Sequence, residues 1–194
     1  MNNLLSYLDL CELVKAGVID ADPANINGAS IDIRIGHELM VENPTLDFDD
    51  PSSIIDLSKK PLPGESLVPM TRVNMPLDSE KGGFLLRPHQ FCLAHSLETF
   101  NLPEDICCQF FLRSSMARAG LNHLMAGWCD PGWHGAQLTL ELHNTLQYHG
   151  LWLTTGLRIG QMVFHRVQPV PKDRSYAKNG RYNRQNGATS SLGA

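Results

Sequence analysis

The chain has 194 residues, 42% of them hydrophobic and 19% charged, which suits one soluble domain with its own core and is short for two. Its net charge of −4 excludes nucleic-acid binding through a general basic field. Any anionic ligand must instead meet a local cluster of arginines, which favours a small phosphorylated ligand over a polymer. Five cysteines (Cys11, Cys92, Cys107, Cys108 and Cys129) form no C-x-x-C pair. Their odd number and irregular spacing argue against a disulfide framework and a structural zinc site. No stretch resembles a transmembrane run, and Met1 to Leu5 carries no basic n-region or cleavage signature. The cytoplasm is therefore the expected location, with no membrane partner.

The first element is a short helix. Ser6-Tyr7-Leu8-Asp9 reads as a capping box ahead of Leu10, Leu13 and Val14, with Gly17 as its stop. A loop from Asp22 to Ala29 follows. The period then changes to two: Ile31, Ile33 and Ile35 alternate with Asp32 and Arg34, predicting a half-buried strand. Glu42 to Pro63, broken by Pro44, Pro51, Pro61 and Pro63, reads mostly as loops. Further strands are expected at Phe84–Leu86, Gln90–His95, Ile106–Leu112, Leu138–Leu142, Leu151–Leu153 and Met162–Val167. Many short strands separated by Gly and Pro, with no repeated βαβ pattern, imply an all-β barrel or sandwich. The tail from Lys172 to Ala194 is polar and nearly devoid of apolar residues, a composition that by itself reads as disorder.

Several chemistries are excluded by missing motifs. There is no G-x-x-x-x-G-K-S/T phosphate loop and no G-x-G-x-x-G fingerprint. His37-Glu38 begins like H-E-x-x-H, but Val41 stands where the second histidine would be. The H-x-E and P-C-x-x-C segments of zinc deaminases are absent too.

The densest polar chemistry lies between Arg113 and Asn144. Arg113-Ser114-Ser115-Met116-Ala117-Arg118 follows a strand and offers two guanidinium groups and two hydroxyls. These suit phosphate, and a helical turn at Ser115–Ala119 would add its dipole. Taken alone, Arg113-Ser114-Ser115 is better accounted for by a solvated loop with a helix cap. Asp130, in Asp130-Pro131-Gly132, either caps a turn or meets a ligand. In Leu138-Thr139-Leu140-Glu141-Leu142, alternation sends the leucines to one face and Glu141 to the other. A mid-strand glutamate is uncommon. It marks an exposed polar face, or a carboxylate whose partly buried pocket fits it to act as base and then acid.

Taken in order, R-S-S-M-A-R-A-G-L (113–121), A-G-W-C-D-P-G-W-H-G (126–135) and L-T-L-E-L-H-N (138–144) resemble the signature of the dCTP deaminases. Asn27 to Gly36 resembles that family's N-terminal strand, and Leu102 to Asp105 the stretch before the first motif. Arg181-Tyr182-Asn183-Arg184-Gln185-Asn186-Gly187-Ala188 is similar to its tail motif K-Y-x-x-Q-x-G, with arginine at the lysine position. The resemblance spans nearly the whole chain, and its middle blocks are shared with dUTPases. It implies an all-β, distorted barrel of the trimeric dUTPase-like (β-clip) type, with a short N-terminal helix. It also implies a single domain over 1–194 whose residues 172–194 serve as a lid.

The implied reaction is zinc-independent hydrolysis of dCTP to dUTP and ammonia, feeding dUMP and dTTP synthesis. The alternatives are a bifunctional enzyme giving dUMP and diphosphate, a dUTPase alone, or a non-catalytic nucleotide sensor on the same fold. By motif position, Glu141 is the general base, Ser114 and the backbone at Ala126 position the water, and Arg118 lies near base and phosphates. Arg113, Ser114 and Ser115 hold the triphosphate, with Met116 and Ala117 in the same binding segment. Asp130 accepts the 3′-OH, the backbone at Thr139 and Leu140 reads the cytosine edge, and Tyr176, Arg181 and Gln185 close over the nucleotide. Mg²⁺ comes with the triphosphate, no protein side chain holds a metal, and dTTP is a candidate inhibitor. The implied assembly is a homotrimer with shared active sites.

Overall fold

Asp9 accepts hydrogen bonds from the Ser6 backbone N–H (2.8 Å) and hydroxyl (2.6 Å). This ties down the start of α1, Tyr7–Lys15. Leu10 and Leu13 are its buried face, and the helix ends where Gly17 N–H returns to the Val14 carbonyl. The capped, amphipathic helix read from the sequence is thus present. The computed structural model describes residues 3–44, 53–62 and 65–193. Part of the proline-broken stretch expected as loop (45–52, with Pro51, and Pro63) lies outside the described residues, as do Met1, Asn2, Gly64 and Ala194.

The rest of the chain is mainly strand: β1 (Ile19–Asp20), β2 (Ile31–Arg34), β3 (Glu38–Glu42), β4 (Met70–Asn74), β5 (Phe84–Leu86) and β6 (Phe91–Asn101) come first. They are followed by β7 (Ile106–Leu112), α2 (Ser114–Arg118), β8 (Leu121–His123), β9 (Trp128–Cys129), β10 (His134–Asn144), β11 (Leu151–Leu153), β12 (Arg158–Arg166) and α3 (Tyr176–Asn179). One sheet runs β4-β3-β6-β10-β8, with β1 also on β6; a second runs β2-β12-β7-β9; β11 and β5 make a two-stranded ribbon. Pairing is antiparallel throughout the named strands. The all-β expectation holds, but the strands lie in three sheets that do not close on one another, so the expected barrel is an open one. Antiparallel sheets of this kind bury one face each and pack those faces together. Ile31, Ile33, Phe100, Leu140, Met162 and Phe164, all fully buried, form the centre of the common core.

The half-buried reading of β2 needs correction. Asp32, on the face opposite the isoleucines, is buried as well. It accepts from Asn27 Nδ2 (3.0 Å) and Arg113 Nη1 (3.1 Å), and Arg158 Nη1 lies 3.6 Å away. A buried carboxylate needs such partners, and two arginines supply them. Among the described residues no helix is long and apolar enough to cross a membrane.

Candidate active site

Strand β10 is the axis of the site. Its leucines at 138, 140 and 142 point into the core, while Thr139 and Glu141 point the other way. That opposite face lines a cavity of about 480 Å³, together with Ala126, Trp128, Cys129 and Asp130. Its apolar wall includes Met70 of β4 and Phe91 and Leu93 of β6; β6 pairs with β10, and β4 lies further out in the same sheet, beyond β3. A volume of this order and a mainly apolar lining with a few convergent polar groups suit a small organic ligand.

Glu141 keeps 24% of its side chain exposed, and its Oε2 lies 3.0 Å from Nε2 of His123, whose side chain is 4% exposed. Both atoms are buried, and neither is in an aligned hydrogen bond. The pair is close enough to interact electrostatically, while its hydrogen-bonding capacity is left over for a third group. The His123 ring is fixed from behind by Phe110, with centroids 4.7 Å apart. Asp130 accepts from the Trp128 indole N–H at 2.9 Å. Its backbone carbonyl accepts Trp133 N–H, so the Asp-Pro-Gly turn is present as well.

The tail lies across this face. The Tyr176 hydroxyl accepts Tyr182 N–H, and Tyr182 carbonyl accepts the Trp133 indole N–H at 3.0 Å. Burial pushes the Tyr176 phenol above its ordinary pKa. Gln185 exchanges hydrogen bonds with the Gln137 backbone on β10: its carbonyl accepts Gln137 N–H (3.0 Å), and its Nε2 donates to the Gln137 carbonyl (2.6 Å). Thr189 N–H donates to Thr139 Oγ1. Tyr176, Tyr182, Gln185 and Thr189 all line the cavity. The polar composition that reads as disorder is here matched by hydrogen bonds to β10, which helps to seat a segment with little apolar content.

Of the residues singled out from the sequence, Ala126, Asp130, Thr139, Glu141, Tyr176 and Gln185 meet at the cavity. Leu140 does not: its side chain is in the core, and it pairs with Ala94 of β6. Arg181 lies in an adjoining hollow with Asp130, Arg174 and Tyr176, and donates to the Gly193 carbonyl. Arg113, Ser114, Ser115, Met116, Ala117 and Arg118 stand apart from the cavity within one chain. Arg113 is turned to Asp32, Met116 packs against the core, and residues 114–118 form the short helix α2. His123 belongs to none of the quoted motifs, and Trp128 and Tyr182 stand inside quoted blocks without a role assigned to them. The pairing of β8 with β10, the pairing of β9 with β7 and the path of the tail bring the three in.

A family model described as dCTP deaminase-like matches residues 4–167. The chain belongs to the dCTP deaminase-like family. A relative from Methanothermobacter thermautotrophicus, named dCTP deaminase, dUMP-forming, is 32% identical over 96% of this chain and 90% of its own length. One from Hamiltonella defensa, named dCTP deaminase, is 34% identical over 91% of this chain and 90% of its own. In fold, the chain is similar to the solved 2′-deoxycytidine 5′-triphosphate deaminase of Agrobacterium tumefaciens, with a TM-score of 0.61 at 16% identity over 86% of this chain. It spans about half (48%) of that larger structure.

Proposed function

We propose that the chain hydrolyses dCTP at C4 of the cytosine ring, releasing ammonia and dUTP. The observation that carries this reading is Glu141, a carboxylate at the wall of a mainly apolar cavity beside a buried imidazole. Glu141 takes a proton from water, and the resulting hydroxide adds to C4. The carboxyl passes that proton to the ring nitrogen, takes the proton of the new C4 hydroxyl and gives it to the amino group, and the C4–N bond breaks with loss of ammonia as the C4 carbonyl forms. Proton transfer of this kind contributes roughly 10²–10⁴-fold. The remainder falls to orientation and to polar groups around the ring, with Ser114 and the backbone at Ala126 placing the water. Asp130 receives the sugar 3′-OH, and the backbone at Thr139 and Leu140 reads the base edge. Residues 172–194 cover the nucleotide as the lid of a single domain, with Tyr176, Arg181 and Gln185 as its contacts.

Arg113, Ser114, Ser115 and Arg118, with Met116 and Ala117, are the triphosphate segment. Their distance from the cavity within one chain supports a site shared between copies, and we propose a homotrimer in which α2 of one copy completes the cavity of the next. Among the described residues no three His, Cys, Asp or Glu side chains are grouped to hold a metal ion. The Mg²⁺ of the reaction is one carried on the triphosphate oxygens. Cytoplasmic location and inhibition by dTTP belong to the same reading.

A second reading is favoured by the Methanothermobacter relative's name, dCTP deaminase, dUMP-forming: deamination followed by hydrolysis to dUMP and diphosphate. The deciding experiment incubates the purified chain with dCTP and Mg²⁺ and resolves the products by chromatography. Accumulating dUTP and ammonia supports the deaminase. Accumulating dUMP and diphosphate supports the bifunctional enzyme. Inert dCTP with cleavage of added dUTP would overturn both, leaving a dUTPase. In the same assay Glu141→Gln is expected to abolish ammonia release and keep nucleotide affinity, and a fully active variant would remove Glu141 from the mechanism.

A further inference from the structure

The segment 187–189 presents three successive backbone N–H groups to the sheet, and each meets a different side-chain acceptor. Gly187 donates to Gln137 Oε1 at 2.8 Å, Ala188 to Glu38 Oε1 at 3.2 Å and Thr189 to Thr139 Oγ1 at 3.3 Å. Gln137 and Thr139 belong to β10, which already carries the site. Glu38 does not: it opens β3, and its carboxylate is held by Arg72 of the neighbouring strand β4, which reaches it diagonally from its place opposite Met40. Ala188 is fully buried against Met40 and Leu93, with Met70 and Phe91 beside them. Three of those four side chains also form the apolar wall of the cavity. Gly187 has φ of +79°, and a Cβ there would stand 2.5 Å from Glu38 Oε1. The tail therefore approaches this carboxylate as closely as backbone can, in a conformation that favours glycine.

We infer that Glu38, oriented by Arg72, is the latch of the tail: a positioning residue that sets how firmly residues 187–189 close the cavity. The inference rests on the reading of the tail as a lid over a nucleotide site. A carboxylate is the strongest backbone acceptor available, and it reads the main chain, so the latch works without any large tail side chain. The Arg72 guanidinium keeps it aimed. Because Glu38 touches the lid and not the reacting atoms, its loss acts on occupancy more than on chemistry.

The full-length wild type, E38A, E38Q and R72A are compared in three ways. Trypsin cutting after Lys178, Arg181 and Arg184 and amide exchange at 187–189 are followed without nucleotide, and steady-state kinetics are measured with dCTP. E38A and R72A are expected to be cut in the tail and to exchange there about tenfold faster, with the KM for dCTP raised about tenfold and kcat within about threefold of wild type, the size of one charge-assisted hydrogen bond. E38Q, which keeps an acceptor oxygen and loses the charge, falls between. Arg72 is half exposed, so R72A carries the test should E38A fail to fold. Wild-type tail cleavage and exchange in the folded variants would overturn the latch. A wild type that leaves dCTP untouched would overturn the substrate reading instead, and the protease and exchange data would still decide the latch.

Discussion

Replacing His123 with leucine isolates the contact behind Glu141. The site is closed, with 4% of the imidazole side chain exposed, and it packs on Phe110. Leucine fills a similar apolar volume and removes the ring nitrogen that lies 3.0 Å from Oε2. A partner to a charged group is worth about 1.5–3 kcal/mol when well made. Here the 3.0 Å contact is misaligned and the carboxylate is about a quarter exposed. We therefore take the low end, about 1.4 kcal/mol, which is tenfold in rate. The loss should fall on kcat, because the imidazole faces the base and does not line the cavity wall. Loss of the tilted ring pair with Phe110 costs a further ~0.5–1.5 kcal/mol of stability, seen as a lower thermal midpoint and not as lost turnover. The assay is ammonia release at saturating dCTP, with circular dichroism to verify the fold. H123Q, which can return an N–H to the same place, should recover part of kcat. If H123L is folded and its kcat lies within twofold of wild type, the imidazole has no part in holding the base.

Other consequences follow from packing and titration. Removing residues 176–194 should leave a folded core whose dCTP turnover drops at least about a hundredfold through lost closure and positioning; wild-type rates in the truncated chain would end the lid reading. Gly36→Ala would place a Cβ 2.0 Å from Cε1 of the buried His95 ring, and overpacking of this kind costs about 1–3 kcal/mol. An unchanged urea midpoint would show that the ring can move aside. Burial, and then the neighbouring His37, hold the His95 imidazole below its ordinary pKa, against the opposing pull of the Ser96 carbonyl and Glu38. The unfolded chain therefore takes up this proton first. The associated stability is complete above about pH 6.5 and is lost as the pH falls from there toward the lower folded value. Urea midpoints should drop on acidification through that window, and less steeply in His95→Gln; equal slopes would place the titration elsewhere.

Much of this architecture is written locally. The Ser6–Asp9 box fixes the start of its helix because its partners are three residues apart. The period-two run Leu138, Leu140, Leu142 places Glu141 on the opposite face because strand geometry leaves no other choice. Six positions marked by motif, from Ala126 to Gln185, do meet at one cavity. Their order along the chain was enough to mark them, because each lies on a strand, turn or tail whose type is set by neighbouring residues.

Other features depend on which strands lie side by side, and no local pattern carries that. Alternation predicts solvent beside Asp32, yet Arg113 and Arg158, from distant strand ends, close over it. His123 has no motif of its own and becomes a partner of Glu141 only because β8 joins the edge of β10. The tail's composition carries little apolar drive to order; beyond the burial of Ala188, its place comes from acceptors on β3 and β10 that the β4-β3-β6-β10 order sets in line. The separation of α2 from the cavity is likewise invisible in a motif that lists the two together. Sequence alone marked the first helix, most of the longer strands, the facing of β10 and Glu141 as the candidate base. Tertiary structure decided which buried charges are paired, what stands behind the base and where the tail rests, because burial and electrostatic contact depend on distance in space and not on separation along the chain.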